Sequence, residues 1–324
     1  MPHRYRLIEM LADGRFQSGE VLGAELGLSR AGVWKQLRKL ASVGLEVQAV
    51  RGRGYRLARP LELLDKSRIA AEVSAGTRAR ISRLDVHPEV DSTSSVLRRQ
   101  LDDGAESGHV CIAETQSAGR GRRGRRWFSP FGANLYLSML WRFDCGPAAL
   151  GGLSLAAGVA VLKTVQRAGV RQAGLKWPND IYSKDAKLAG VLVELSGEAA
   201  GPCQAIVGIG INIEMPDGAG PMLDQPWIDV QRLVDTKVSR NRLAVDLLDE
   251  LVSTFGRYEA GGLAAFIDTW QDHDLLAGRL VELRFPHKIV RGNAGGIDMQ
   301  GALLVEVQGE IQRFTSGDVS LRPA

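Results

Sequence analysis

Apolar residues recur at helical spacing through the first forty residues and predict three short helices. The first helix carries its apolar stripe within residues 7–11. Ser18 is placed to cap the second helix, and Ser29 is placed to cap the third after a tight turn at residues 27–28. Residues 18–37 therefore predict a helix, a short glycine turn and a second helix.

Two short β segments follow, at residues 47–50 and 55–57, and residues 51–54 join them as a glycine hairpin with two arginines. This arrangement indicates a winged helix-turn-helix. In such a domain the helix after the turn, here the one capped by Ser29, enters the major groove, and basic side chains hold phosphates. The alternative is a solvated three-helix module that binds protein or caps an enzyme. The residues predicted to contact DNA are Ser18, Ser29, Arg30, Lys35, Arg38, Lys39, Arg51 and Arg53.

From residue 84 onwards, segments of strand pattern alternate with segments of helix pattern, which predicts a mixed-sheet α/β or α+β domain. A connecting helix is predicted before it, at residues 61–71. The predicted strands are 84–86, 110–114, 134–141, 175–177, 189–195 and 205–209, and the predicted helices are 92–101 and 152–168.

Residues 279–324 read as short strands separated by glycine turns and predict a small β-barrel. The strands are expected at 280–285, 303–307 and 311–314, and the turns at Gly292, Gly295–Gly296, Gly301 and Gly309. The whole chain is therefore expected to be an α+β multidomain protein with domains at 1–60, 61–274 and 275–324.

Charge adds to this picture because it is unevenly distributed. Eleven Lys and Arg residues oppose five acids in residues 1–60, so this segment carries +6 while the whole chain carries +4. A polyanionic partner is thus expected at the N-terminal domain. The three cysteines have no metal-binding spacing, and we predict no bound metal. No targeting segment is visible, which predicts a cytoplasmic protein.

The segment from Gly119 to Arg126 holds three glycines and five arginines. Glycines let the backbone approach a ligand closely, and arginine forks match carboxylate and phosphate oxygens. A disordered RNA-binding or localisation tract is the alternative for such a composition. Because strand-like and aromatic segments flank it on both sides, an anion-binding loop in an enzyme active site is the better prediction.

Two further motifs lie downstream. Lys187 begins a predicted strand beside Gly190, where its amine could enter a cleft; an exposed lysine at a strand edge is the alternative. Residues 208–212, GIGIN, end another predicted strand, whose glycines could admit a ligand or form a β-bulge.

Six motifs stand in one order along the chain: DST at 91–93, GRGRRGRRW, FSPFGANLYLSM, KWPND, KLAGVLVE and GIGIN. With them the chain resembles the bacterial biotin–protein ligases that also act as the biotin operon repressor. The resemblance implies a two-step reaction: biotin and Mg-ATP give biotinyl-5′-AMP, and a lysine of the biotin carboxyl carrier protein then takes the biotin. It also implies an SH3-like C-terminal barrel.

The resemblance assigns catalytic roles to Arg122 and Lys187. Ser94 replaces an asparagine that is common in the family. The residues implied to bind biotin are Ser92, Thr93, Ser94, Gln116, Arg120, Gly121, Arg122 and Lys187. Those implied to bind ATP or the adenylate are Arg122, Arg125, Asn179, Asp180, Asn212, Trp227 and Arg322.

The implied partners are the carrier protein, operator DNA and a second copy of the chain, which would dimerise through sheet edges near residues 189–195 when biotinyl-5′-AMP is bound. Two other functions remain open. A lipoate–protein ligase relative would share the sheet and the adenylate chemistry. A transcription factor that senses biotin without catalysis would keep the binding residues alone, although the presence of Arg122 and Lys187 argues against it.

Overall fold

The computed structural model describes residues 2–198, 201–218, 225–285, 287–315 and 317–321. The N-terminal domain has the predicted helix-turn-helix. Ser18 Oγ accepts a hydrogen bond from the backbone N–H of Val21 (3.1 Å), and Ser29 Oγ accepts one from Gly32 (3.2 Å), so both caps are confirmed. Its elements are α1 (Pro2–Leu11), α2 (Gly19–Leu26), α3 (Arg30–Leu40), β1 (Val47–Val50) and β2 (Gly54–Leu57).

The core of this domain is completed by a residue from the central domain. Phe131 is buried among the apolar side chains of the three helices, and its ring centroid lies 6.4 Å from that of Tyr5. The backbone N–H of Phe131 also donates to the carbonyl of Val43. The helix-turn-helix is therefore packed against the segment that follows the glycine–arginine loop.

The predicted connecting helix at 61–71 is wrong in its first part, since α4 begins only at Lys66 (Lys66–Glu72) and Asp65 caps it. Residues 61–65 are non-helical because tertiary partners take their polar groups. The backbone N–H of Leu64 donates to Glu114, and the Glu62 carboxylate accepts from Ser239 and from the backbone N–H of Arg240.

The central domain is a seven-stranded mixed sheet in the order β3-β4-β5-β9-β8-β7-β6. The pair β3–β4 is parallel, and every other neighbouring pair in the sheet is antiparallel. The strands are β3 (Arg83–His87), β4 (His109–Ala113), β5 (Asn134–Phe143), β6 (Gly174–Lys176), β7 (Asp180–Ser183), β8 (Ala186–Gly197) and β9 (Cys203–Asn212).

Helices cover this sheet and close the main apolar core. They are α5 (Ala75–Arg80), α6 (Thr93–Asp102), α7 (Leu153–Arg167), α8 (Arg240–Gly261) and α9 (Ile267–Asp272). The segment Pro147–Arg167, which contains α7, has the length and hydropathy of a membrane span, but 72% of its apolar window is buried inside the fold. Its apolar character is explained by that position in the core.

The C-terminal segment forms a five-stranded antiparallel sheet in the order β13-β12-β11-β10-β14. Its strands are β10 (Leu280–Arg284), β11 (Ile289–Ile297), β12 (Leu303–Val307), β13 (Glu310–Phe314) and β14 (Asp318–Leu321). The turns predicted at Gly292 and Gly295–Gly296 are wrong, because these glycines lie inside β11. At Gly292 a Cβ atom would lie 2.2 Å from the Glu306 carbonyl oxygen, so close strand approach, not a turn, requires glycine there.

Candidate active site

One cavity of about 390 Å³ opens between the glycine–arginine loop and the strands β6 to β9. Residues from the separate motifs at 91–93, 119–127, 176–180, 187–194 and 208–212 all reach it, although these motifs span 122 positions of sequence. Eleven of the predicted binding residues line it: Ser92, Thr93, Ser94, Gln116, Arg120, Gly121, Arg122, Arg125, Asn179, Asp180 and Lys187.

A network of hydroxyl and amide groups forms one end of this cavity. Gln116 Oε1 accepts a hydrogen bond from the backbone N–H of Thr93 (2.8 Å), and Thr93 Oγ1 lies 2.7 Å from Ser138 Oγ. Ser94 Oγ lies 3.0 Å from the same Ser138 oxygen. Ser138, on β5, is absent from the sequence-based prediction, because a serine inside an apolar strand gives no functional signal.

Asp91 positions the start of this network. Its carboxylate accepts two hydrogen bonds from Arg99, at 2.7 and 3.0 Å, and one from the backbone N–H of Ser92. The bonds from Arg99 lower the pKa of Asp91 to about 2. Asp91 is thus a fixed anion that anchors the N-terminal end of α6, where Ser92 and Thr93 enter the cavity.

The glycine–arginine loop is folded as a short hairpin. The N–H of Gly121 donates to the carbonyl of Arg125 (2.7 Å), and the N–H of Trp127 donates to that of Gly119 (2.9 Å). At the tip, Arg123 adopts φ +55° and the following glycine φ +74°. The two arms therefore support each other, which contradicts the alternative of a disordered tract.

Gly119 is needed where the loop leaves the sheet. A Cβ atom there would lie 2.8 Å from the Trp127 carbonyl oxygen and 2.9 Å from both Gln116 Nε2 and Ser129 Oγ. The absence of a side chain thus lets the loop pass directly over the polar network.

The loop arginines reach both the cavity and its surroundings. Arg122 Nη1 donates to Asn179 Oδ1 (3.2 Å), so the loop is joined to the KWPND motif across the cavity. Arg120 forms an ion pair with Glu194 on β8 at 3.0 Å. Arg126, which also lines the cavity, donates to the carbonyl of Ser117. The guanidinium groups are consequently held near a space that suits an anionic ligand.

Lys187 points into the cavity from β8. Its Nζ lies 2.8 Å from Asp180 Oδ1, and only 14% of its side chain is exposed. The alternative of an exposed lysine at a strand edge is therefore wrong. An ammonium group held by one carboxylate and shielded from water is well placed to stabilise negative charge on a bound ligand.

Trp127 fills a slot between two glycines, and it too is missing from the predicted site. A Cβ atom at Gly210 would lie 2.4 Å from the indole, and one at Gly190 would lie 3.2 Å from it. Lys187 Nζ lies 5.4 Å from the ring centroid. Gly208 and Gly210 lie in regular register with both neighbouring strands, which contradicts the β-bulge alternative.

Two of the three predicted adenosine contacts lie outside the cavity lining. Asn212 does not line the cavity; its Nδ2 donates to the carbonyls of Lys187 and Ile228, both at 3.2 Å. Trp227 also lies outside the cavity lining, with Arg232 stacked on its ring at 4.4 Å. Arg322 lies outside the described residues. Contact of these residues with adenosine stays a prediction.

The cavity offers little to a protein-bound metal ion. Among the described lining residues, Asp180 is the one carboxylate, and Lys187 is its ion-pair partner. No group of three His, Cys, Asp or Glu side chains suited to a metal occurs in the part of the chain that the structure describes. A magnesium ion that arrives with a nucleotide would be held mainly by phosphate and water oxygens.

A second cationic surface lies on the N-terminal domain. Lys35, Arg38 and Lys39 are exposed on α3, and Arg53 of the wing stacks on Phe16 at 4.3 Å. The remaining predicted residues there are the caps Ser18 and Ser29, Arg30, which is ion-paired with Glu20, and the exposed Arg51.

Comparison with known proteins agrees with this division of the chain. Residues 86–212 match the model of the biotin/lipoate A/B protein ligase family. Residues 3–56 match an HTH domain, and residues 277–322 match the biotin protein ligase C-terminal domain.

The chain is 43% identical to the bifunctional ligase/repressor BirA of Salmonella typhimurium, over 98% of this chain and 97% of that protein. The BirA protein of Bacillus subtilis is 31% identical, over 98% of each. The biotin protein ligase of Aquifex aeolicus, solved in complex with biotin and ATP, has a TM-score of 0.64 and 26% identity, covering 75% of this chain and all of that one. The chain therefore belongs to the biotin protein ligase family, within the group of bifunctional ligase/repressor proteins.

Proposed function

We propose that this chain is an ATP-dependent biotin–protein ligase. It forms biotinyl-5′-AMP and transfers biotin to a lysine of the biotin carboxyl carrier protein of acetyl-CoA carboxylase. The observation that carries the proposal is the convergence of eleven predicted residues from separate motifs on one cavity. Its lining combines the polar groups that a ureido ring requires with the cations that a carboxylate and a phosphate require.

In the first step, a biotin carboxylate oxygen attacks the α-phosphorus of ATP, and pyrophosphate leaves. Lys187 and Arg122 both line the cavity; Lys187 stabilises charge on the reacting oxygens, and Arg122 acts on the adenylate once it has formed. The network of Thr93, Ser94 and Gln116 holds the biotin ring, so that its carboxylate meets the phosphate in a fixed orientation. A magnesium ion bound with ATP would offset phosphate charge.

In the second step, the carrier lysine amine attacks the acyl carbon of the mixed anhydride, and AMP leaves. Until the carrier docks, the adenylate must be kept from water. The hairpin at 119–127 lines the cavity, and the bond from Arg122 to Asn179 joins it to the KWPND motif. Arg122 is therefore the side chain expected to retain the intermediate.

Replacing Arg122 with glycine should leave adenylate formation intact but release biotinyl-5′-AMP into solution, because the guanidinium that bridges to Asn179 is removed. Free adenylate can be measured by chromatography after incubation with biotin and ATP. Arg123→Gly is the matched control, since it removes the same charge at the loop tip from a residue outside the cavity lining. Equal release from Arg122→Gly and the unaltered chain would remove this role from Arg122.

Pyrophosphate exchange tests the activity itself and separates the two acids that the family uses. Exchange of labelled pyrophosphate into ATP should require biotin and should not occur with lipoate. Exchange supported by lipoate alone would favour the lipoate ligase alternative. A chain that binds biotin without any exchange would instead be a sensor.

The N-terminal domain supports a second role, repression of biotin synthesis genes with biotinyl-5′-AMP as corepressor. One helix-turn-helix reads one half-site, so a repressor of this kind requires a two-fold dimer. A suitable edge exists on β8: β7 pairs with four of its first five residues, whereas residues 192–197 pair on one side only among the described residues. Arg120 reaches Glu194 on this edge, which joins the ligand loop to the proposed dimer surface.

Biotin plus ATP should therefore strengthen dimerisation, because an adenylate held by the loop arginines stabilises the loop conformation in which Arg120 contacts the edge of β8. Sedimentation of the chain with both ligands, compared with biotin alone, measures the shift. Addition of carrier protein should lower the dimer fraction if it uses the same surface. A dimer fraction that is the same with and without ATP would remove the corepressor role.

We also propose domain boundaries at 60/61 and 274/275 and closure of the C-terminal sheet into an SH3-like barrel. We propose a cytoplasmic location as well, where carrier protein and operator DNA are found.

Contacts with the C-terminal segment support its part in the ligand site. Val319 lines the cavity, and Trp177 Nε1 donates to the carbonyl of Gly301 at 3.0 Å.

A further inference from the structure

A large aromatic side chain is exposed at the centre of the helix expected to enter DNA. Trp34 lies on α3 and is 50% exposed, whereas Val33 and Leu37 on the other side of the helix are buried in the core. Exposed tryptophan is unusual because its large apolar surface is costly to hydrate. Packing within the domain leaves half of this side chain exposed, and a binding partner would cover the exposed part.

The neighbours of Trp34 define the chemistry of that partner. Ala31, Trp34, Lys35 and Arg38 are all exposed, and Trp34 lies three residues after Ala31 and four before Arg38, the spacing of a single helix face. The Arg38 guanidinium lies 4.8 Å from the centroid of the indole. This face therefore presents one apolar plate between cations, which suits a polyanion that carries an apolar group.

The direction of the side chain adds a second constraint. Side chains on a helix lean toward its N-terminus, so the indole leans over the turn that contains Ala31, whose small side chain leaves room for a ligand. The N-terminal part of a recognition helix is the part that reaches base edges. In the major groove of DNA, the apolar group at those edges is the 5-methyl group of thymine.

We propose that Trp34 determines specificity by packing its indole against a thymine 5-methyl group in each operator half-site. The inference rests on the DNA binding proposed above and names the base contact that the helix makes. Arg38, Lys35 and Lys39 hold the flanking phosphates, while Trp34 distinguishes a thymine from bases that lack the methyl group.

The test is a double-mutant cycle that removes the thymine methyl group from the DNA, the indole from the protein, and both together. The probe is the duplex that the full chain selects from a randomised pool in the presence of biotin and ATP. Each thymine is then replaced in turn by deoxyuridine. The unaltered chain should lose about fourfold in affinity at one or two thymines per half-site, the effect of one buried methyl group of about 0.8 kcal/mol.

Trp34→Ala should bind the thymine and uridine duplexes equally at those positions, and Trp34→Phe should keep part of the difference. Val21→Ala is the matched control: Val21 is 51% exposed on α2, and its truncation should leave the fourfold effect unchanged. If each thymine-to-uridine replacement lowered the affinity of Trp34→Ala and of the unaltered chain equally, the role of Trp34 would be overturned, while DNA binding itself would stand. A chain that selects no duplex sequence would overturn DNA binding as well, and with it this role for Trp34.

Discussion

Replacing Lys187 with methionine should lower the rate of biotinyl-5′-AMP formation by about 100- to 1,000-fold, the usual loss when one charge-stabilising donor is removed. Methionine keeps most of the length of the side chain but removes the ammonium. That group is 2.8 Å from Asp180 and shielded from water, so bulk solvent cannot replace it. Single-turnover formation of adenylate measures the effect without interference from transfer.

Two further variants separate chemistry from disruption of the cavity. Lys187→Met leaves Asp180 without its cation, so the double variant with Asp180→Asn removes the stranded charge. The double variant should remain slow. Lys176→Met takes the same charge from another lysine of the cavity, one that lies over the Tyr182 ring at 4.3 Å, and should cost far less. Full recovery of the rate in the double variant would assign the loss to the unpaired Asp180 instead.

Replacing Arg240 with alanine should lower the free energy of unfolding by about 3–5 kcal/mol, because it leaves a buried carboxylate without its partner. Arg240 Nη1 lies 2.8 Å from Glu114 Oε2, and the two side chains are 5% and 0% exposed. The same guanidinium donates to the carbonyls of Glu62 and Asn134. One side chain thus joins α8, the connecting segment and β5.

Urea unfolding of Arg240→Ala, Glu114→Gln and the double variant that combines them measures this effect. Adding Glu114→Gln to Arg240→Ala should recover part of the loss, since the uncompensated charge is gone. Arg242→Ala is the control from the same helix, because its ion pair with Asp246 is 59% exposed on the arginine side and should contribute less than about 1 kcal/mol. Equal losses for Arg240 and Arg242 would show that burial of the pair has no special weight.

Local signals in the sequence were sufficient where the structure depends on neighbouring residues. Ser18 and Ser29 cap helices because a serine oxygen reaches the N–H three residues ahead, and this pattern is visible in sequence. The glycine–arginine loop was recognisable for a similar reason, since its composition alone determines its charge and the close backbone approach that its glycines allow.

Long-range partners account for what the sequence did not predict. The helix α8 is not predicted although it has a regular apolar face. The strands β7 and β11 are not predicted either, because Asp180 in β7 and the glycines in β11 resemble turn residues. Trp127 could have been found from the glycines, because Gly190 and Gly210 are the positions that make room for its ring. Ser138 could not, because only the folded sheet brings it beside Thr93.

The most direct test of ligase activity uses the full chain with labelled biotin, ATP and the biotin carboxyl carrier protein. We predict that label becomes covalently attached to one carrier lysine, that attachment requires ATP, and that AMP and pyrophosphate form in equal amounts with it. A chain that binds biotin in the cavity but leaves the carrier unlabelled would contradict the assignment of ligase activity.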